Sequence, residues 1–388
     1  MHNDLSSVST KPSPPQDCRE ARLILNALPG MGPVTCRRLL DALGPNPVAI
    51  FHATQKQLLS VKGVGTITAD AIINWHTHFD PVREKEKMAA FGINFVIPED
   101  TDAYPALLRE IYDPPIGLYS TGQYTWRDRC VAIVGSRHIT PYGREMARAL
   151  ARGLAGTGWC IVSGLARGID TVAHQGALEA GGPTVAVLGC GPDIVYPPEN
   201  LELYRKIAAN GVIFSEFSFG KKADKQTFPM RNRIVSGMCR AIVVIESDIG
   251  GGSMITAKFA AEQNRVVCAV PGRADQASSR GCHALIRDGA TLVTSIDEIL
   301  EELNEPAVAM QSELNLMSPS SQNISNAATP EEANILAYFA GGTSHSIDSL
   351  ADITGLPASS LMGTLLMMEL NRLIIKGTDG RYEAIPRL

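Results

Sequence analysis

Between Val131 and His174 the chain runs VAIVGSRHITPYGREMARALARGLAGTGWCIVSGLARGIDTVAH, and this stretch leaves few folds open. It reads as two consecutive strand-to-helix units. The apolar run Val131 to Val134 stops at Gly135, Ser136 and Arg137. The run Cys160 to Val162 stops at Ser163, Gly164, Leu165, Ala166, Arg167 and Gly168. Between them Met146, Ala147, Leu150, Ala151 and Leu154 recur at helical spacing. Short apolar runs that end in glycine and feed helices are the sequence form of βαβ crossovers and a parallel sheet. In such a sheet, ligands belong at the carboxyl ends of the strands.

The two turns share one chemistry. A helix N-terminus leaves N–H groups unpaired and carries partial positive charge, so it favours a phosphate. Glycine and serine let that phosphate approach, and an arginine clamps it. Two such turns on consecutive strands predict converging Arg137 and Arg167.

A chain of 388 residues has room for two or three domains. The first residues, MHNDLSSVSTKPSPPQD, are polar and carry no apolar core, which reads as a flexible tail over residues 1–19 and not as a signal peptide. No run reaches membrane-spanning length, so no membrane insertion is expected. The eight cysteines are scattered without a CxxC pair, and Cys130, Cys160 and Cys268 lie inside apolar runs. That pattern points to buried thiols in a reducing cytoplasm and to neither disulfides nor a zinc site. A net charge of −5 means that any nucleic-acid site is a local patch.

Residues 20–79 contain a doubled element. ILNALPGMGPVTCRRLLDALG and LLSVKGVGTITADAIINW share helix, Gly-apolar-Gly hairpin and helix, with hairpins at Gly30-Met31-Gly32 and Gly63-Val64-Gly65. This resembles a tandem helix-hairpin-helix, or SAM-like, module. Such hairpins hold a backbone phosphate without reading bases, with Arg37, Arg38 and Lys62 suitably placed; the same pattern also makes a helical domain that only packs on a neighbour. His76 and His78 lack a third ligand and read as solvated.

The central domain, with its lead-in, spans residues 80–303. Strands expected at Thr184 to Leu188, Val212 to Phe214, Ala241 to Ile245, Val266 to Val270 and Thr291 to Thr294 alternate with helical sequence, so the fold class is α/β, a Rossmann-like doubly wound and mostly parallel sheet. VLGCGPDIVYPPEN has Ile194 where a dinucleotide fingerprint needs its third glycine, and no P-loop sequence occurs, so no cofactor is expected. The segment KKADKQTFPMRNR instead sets Lys221, Lys222, Lys225, Arg231 and Arg233 against Asp224 alone. Cations track a phosphate backbone, and an exposed Phe228 would offer a stacking face to an unpaired base. A third glycine-rich turn, Gly250, Gly251, Gly252 and Ser253, opens another helix.

VAIVGSR, SGLARGIDTVAHQGAL, TVAVLGCGPDIVYPPEN, FPMRNRIVSG, GGSMITAKFAAEQ and GCHALIRDGATLVTS, with the lead-in YPALLREIYDPPIGLY, together resemble the DNA-processing protein A family, also called Smf. The resemblance implies a dimerising protein that binds single-stranded DNA, protects incoming strands in natural transformation and helps load the recombinase RecA. The DNA groove it implies maps onto Gly135, Ser136, Arg137, Ser163, Gly164, Arg167, Gly168, Arg231, Asn232, Arg233 and Gly250 to Ser253, with Lys225 and Phe228 on the loop before. Met230 departs from the family, where many relatives carry a second basic or small residue.

After a Ser/Asn/Pro-rich linker over residues 304–329, residues 330–388 read as three helices and a β-wing turning at Asp379-Gly380, a winged-helix pattern. Its third helix, Ser359 to Leu370, has no Lys or Arg and carries Met362, Met367 and Met368. Readers of a DNA groove neutralise phosphate, so this module is expected to meet protein or to support a dimer, unless its methionines are simply core.

A rival reading is an enzyme. The same turns resemble those of lysine-decarboxylase-like phosphoribohydrolases, which cleave the base from a nucleoside monophosphate. That chemistry needs a carboxylate beside the glycine turn. Here Ser253, Met254, Ile255, Thr256 and Ala257 follow the turn; Asp170 and Glu246 are conceivable acids but neither is well supported, so a binding protein on an enzyme-like fold, and not an enzyme, is expected.

Overall fold

The computed structural model describes residues 13–122, 129–304, 330–339, 343–371, 373–377 and 380–385. The first twelve residues of the expected tail, nearly all of the expected linker and the wing residue Asp379 lie outside the described residues.

Nine strands form one sheet: β1 (Asn94–Val96), β2 (Leu118–Gly122), β3 (Cys130–Gly135), β4 (Cys160–Ser163), β5 (Thr184–Leu188), β6 (Val212–Ser215), β7 (Ala241–Ile245), β8 (Val266–Ala269) and β9 (Thr291–Leu292). Their order is β1-β2-β6-β5-β4-β3-β7-β8-β9. From β6 to β9 every pairing is parallel, while β1 and β2 join as an antiparallel extension on β6. The chain moves outward from β3 to β6, then returns to the other side of β3 with β7. Loops leaving β3 and β7 therefore part company and open a crevice at their carboxyl ends.

Strand β3 shows why the sheet is sandwiched. Side chains alternate across a strand, so Val131 and Ile133 enter one core and Ala132 and Val134 the other. The first core packs against α7 (Pro141–Gly156) and α8 (Ile169–Glu179) through Met146, Leu150, Leu154, Ile169 and Val172. The second packs against α10 (Thr227–Gly237), α11 (Gly252–Glu262) and α12 (Arg280–Arg287) through Ile234, Val235, Ala257, Ala260 and Cys282. Helix α9 (Leu201–Asn210) lies between β5 and β6, and α13 (Ile296–Glu302) closes the first core.

The N-terminal helices α1 (Cys18–Ala27), α2 (Pro33–Leu43), α3 (Gln55–Ser60) and α4 (Thr66–Ile73) surround Leu25, Leu39, Ile50, Leu58 and Ile72. Helix α1 starts where the Asp17 carboxylate accepts the Glu20 N–H. Each hairpin turns on a left-handed glycine, Gly30 at φ 73° and Gly63 at φ 88°. Helix α5 (Pro81–Phe91) and the short α6 (Ala106–Arg109) lead into the sheet.

The C-terminal unit has α14 (Pro330–Ala337), α15 (Ile347–Thr354), α16 (Ala358–Leu370) and a small antiparallel sheet of β10 (Ser344–His345), β11 (Ile374–Lys376) and β12 (Tyr382–Ala384). Helix α16 buries Leu361, Leu365 and Met368 and leaves Met362, Leu366, Met367 and Leu370 exposed. Of the three methionines in this helix, only Met368 is core.

Candidate functional site

The cleft at the carboxyl ends of β3, β4 and β7 has a volume of about 500 Å³. Of the residues expected at the site, Gly135, Ser136, Arg137, Gly164, Lys225, Phe228, Arg231, Asn232, Gly251, Gly252 and Ser253 line it. Four segments distant in sequence thus meet in one place.

Glycines make the meeting possible. A Cβ on Gly135 would lie 1.8 Å from the Ile245 carbonyl oxygen, and one on Gly168 would lie 2.1 Å from that of Ser136. The first and second turns are joined there, because the Ile169 N–H donates to the Ser136 carbonyl at 3.1 Å. Gly168 and Ser163 therefore build the site from behind. The Ser163 hydroxyl is fully buried and donates to the Ile133 carbonyl at 2.7 Å.

Arg231 sits at the floor. It is only 4% exposed, and Nη1 donates to the carbonyls of Gly164 and Val187, the loose carbonyl ends of β4 and β5. Gly164 leaves the room for it: a Cβ there would stand 1.9 Å from Nη1. Asp170 faces it and accepts N–H bonds from Gly164 at 3.1 Å and Ala166 at 3.4 Å. The anion held by the second turn is therefore the chain's own carboxylate. Burial pushes the Asp170 carboxyl up, and the nearby Arg231 charge pulls it back.

Phe228 connects floor to rim. Its ring is half-buried, not exposed as the sequence suggested, because it rests on Gly189 and lies 5.8 Å from the Tyr196 ring. The Arg137 guanidinium stands 4.8 Å from its centroid, so the exposed cation lies over an aromatic face. Asp224 caps α10 by accepting the N–H groups of Gln226 and Thr227, both at 2.8 Å. Helix α11, by contrast, opens at Gly251 with no side-chain cap. That N-terminus faces the cleft, with Asp248 beside it in the same lining.

Other expected residues point elsewhere. Arg167 is exposed and paired with Glu199 outside the cleft lining. Gly250 is exposed beyond the lining. Arg233 is 4% exposed and turns to the opposite side of α10, binding Glu216 at 2.5 Å and Asp113 at 3.0 Å. In the N-terminal hairpins, Arg37 donates to the carbonyls of Tyr112 and Ile111 and Arg38 to that of Lys62. Together with Arg22, which grips Glu99 at 2.7 Å, Arg37 anchors this unit to the lead-in.

The sequence reading omitted Ser247, Asp248, Ile255 and Thr256, which complete the cleft wall. The one local signal, for Ser247 and Asp248 only, is the polar run that opens with Glu246 after the apolar run of β7. Glu246 takes a left-handed φ of 50°, a strained backbone position for a non-glycine residue. Its carboxylate accepts the N–H of Thr140 at 2.9 Å and also binds that residue's hydroxyl, which leaves it a structural tie between β7 and α7.

Among the described residues, no cluster of three or more His, Cys, Asp or Glu could hold a metal, and no single helix is long and apolar enough to cross a membrane. All eight cysteines are free thiols.

Fold and cleft together define a Rossmann-like α/β protein carrying a helix-hairpin-helix tandem at one end and a winged helix at the other. The model of DNA recombination-mediator protein A matches residues 94–304, that of the SAM-like helix-hairpin-helix tandem residues 22–74, and that of the DprA winged helix domain residues 319–380. The chain belongs to the DNA recombination-mediator protein A family. It is 43% identical over 221 residues to the DNA processing protein DprA of Streptococcus pneumoniae, covering 57% of this chain and 76% of the relative. It is 38% identical over 286 residues to protein Smf of Synechocystis, covering 71% and 70%. The X-ray structure of DNA processing protein A from Streptococcus pneumoniae superposes with a TM-score of 0.65 at 32% identity, over 74% of this chain and 99% of that one.

Proposed function

We propose that this chain binds single-stranded DNA in the cleft, protects it, and passes it to the recombinase RecA during transformation or recombination. The observation that carries the reading is the Arg137 guanidinium held over Phe228 beside Lys225 and the uncapped start of α11. A cation on an aromatic face serves a phosphate by charge and an unpaired base by stacking, whereas paired bases are closed inside a duplex. Val134, Pro229, Val235 and Ile255 add apolar surface to the cleft wall, which contacts a base without reading its sequence. Membership of the family supports the same reading.

Binding without catalysis is favoured by the state of the two acids that the enzyme reading names. Asp170 is spent on two backbone N–H groups, and Glu246 on Thr140. Neither is a free acid or base. A second copy of the chain and the recombinase complete the proposal as protein partners in the cytoplasm. The exposed apolar face of α16, free of Lys and Arg, supports protein contact over duplex contact for the winged helix.

The test is fluorescence anisotropy with labelled single-stranded and duplex oligonucleotides of equal length across a salt series, using wild type and Arg137→Ala. Salt-sensitive preference for the single strand, weakened by the substitution, is expected. No binding at low salt, combined with release of free base from a nucleoside monophosphate, would replace this reading with the phosphoribohydrolase one.

A further inference from the structure

The loop from β6 to α10 has two ends, and only one lies in the cleft. At the far end Phe219 occupies a turn closed by the Lys221 N–H donating to the Ser218 carbonyl at 3.2 Å, with Gly220 at φ 78° supplying the left-handed corner. This turn sets the half-buried Phe219 ring against Phe91 of α5, 5.6 Å between centroids. Phe219 is rooted in the core by an edge contact with the buried Tyr119, also at 5.6 Å. Phe91 is the outer member of the pair and remains 59% exposed.

An exposed phenylalanine at the end of a charged helix is costly to leave in water, and among the described residues this one stays largely uncovered. Cations lie beside it, although the Asp193 carboxylate also sits at this turn, accepting the Gly220 N–H at 2.9 Å. The Lys87 ammonium lies 5.7 Å from the Phe219 ring centroid, and Lys221 and Lys222 follow Phe219 directly. Lys87 and Lys221 also touch Glu84 and Asp224, while Lys222 has no carboxylate partner among the described residues. Aromatic faces between lysines are the features that hold unpaired nucleic acid: stacking for the base and charge for its phosphate. The same loop carries Lys225 and leads to Phe228, so the aromatic pair and the cleft are consecutive stations on one cationic segment.

We infer that Phe91 and Phe219 form a second nucleotide subsite, on which a base of the strand leaving the cleft stacks. The inference rests on the single-strand reading above and extends its footprint across β6 onto α5. Phe91 closes its helix just before the left-handed Gly92 and is largely exposed, so replacing it leaves the fold intact.

The experiment compares wild type, Phe91→Ala, Phe91→Trp and Arg137→Ala with oligothymidylates of graded length by anisotropy at low salt. Phe91→Ala is expected to bind the shortest oligomers like wild type and to lose about fivefold or more in affinity for oligomers long enough to cross the loop. Phe91→Trp is expected to keep that affinity and to show indole fluorescence quenched by long oligomers only. Wild-type affinity of Phe91→Ala at every length, or an unquenched indole in Phe91→Trp, overturns the subsite. If Arg137→Ala still weakens binding in that case, the cleft reading survives; if Arg137→Ala binds like wild type as well, that reading falls with it.

Discussion

Arg137, on the turn after β3, and Phe228, in the first turn of α10, form a cation–aromatic pair 4.8 Å from guanidinium to ring centroid. The ring, itself supported by Gly189 and Tyr196, braces the guanidinium at the cleft.

Removing the charge and removing the ring should therefore be coupled. Arg137→Ala is expected to lower the salt slope of single-strand binding by about 0.7, the share of one phosphate contact. Phe228→Leu keeps an apolar group on Gly189 but frees the guanidinium. A double-mutant cycle on DNA affinity is expected to give a coupling of about 0.5–2 kcal/mol. Strict additivity would mean that the ring does not orient the cation.

Gly164→Ala tests the floor of the cleft. The added methyl would meet Arg231 at 1.9 Å and push its guanidinium off the Gly164 and Val187 carbonyls. Overpacking of this kind costs about 1–3 kcal/mol. Urea denaturation should show the lower midpoint, and anisotropy a matching loss of DNA affinity. A variant with wild-type values in both would show that Arg231 has another place to go.

Arg233 separates fold from function. Its substitution by Met leaves Glu216 buried without its cation, and breaking a buried pair costs about 3–5 kcal/mol. The loss should appear in denaturation, while the salt slope of DNA binding in the folded protein stays at the wild-type value. A reduced slope would place Arg233 on the strand after all.

His174 gives the acid side of stability a definite sign. The ring is fully buried with Nδ1 at 2.7 Å from the Thr184 hydroxyl, and burial pushes its pKa down to about 3 from 6.5. Above pH 6.5 neither state binds this proton. Between 6.5 and about 3 the unfolded chain takes it and the native one refuses it, so stability falls as acid is added. The slope is up to about 1.4 kcal/mol per pH unit. Asp170, Glu216 and Glu246, raised by burial, act in the opposite direction. The measurement is therefore a difference: His174→Gln should show a shallower acid limb of stability than wild type. Parallel limbs would exclude His174 as the group responsible.

Much of this molecule is legible along the chain because its signals are local. Alternation at Val131 to Val134, helical spacing from Met146 to Leu154 and paired glycines in the hairpins each follow from strand or helix geometry within a few residues. The glycine turns are legible for the same reason. Their contents are not. Asp170 fills the second turn with the chain's own charge, and no spacing rule announces a carboxylate that folds back on the amides six and four residues before it.

The arginines draw the line most clearly. By sequence alone Arg137, Arg167, Arg231 and Arg233 are equals, each beside a glycine turn or within one basic segment. That a parallel sheet brings such cations to its carboxyl edge follows from the chain alone, since backbone periodicity and glycine placement set where strands end. Which cation stays available follows only from the packing. Arg137 is left over Phe228, Arg231 is consumed by strand carbonyls, and Arg167 and Arg233 are taken by Glu199, Glu216 and Asp113. The physical reason is that a charge's role depends on its nearest counter-charge and its burial, and those partners come from elements far away in the chain.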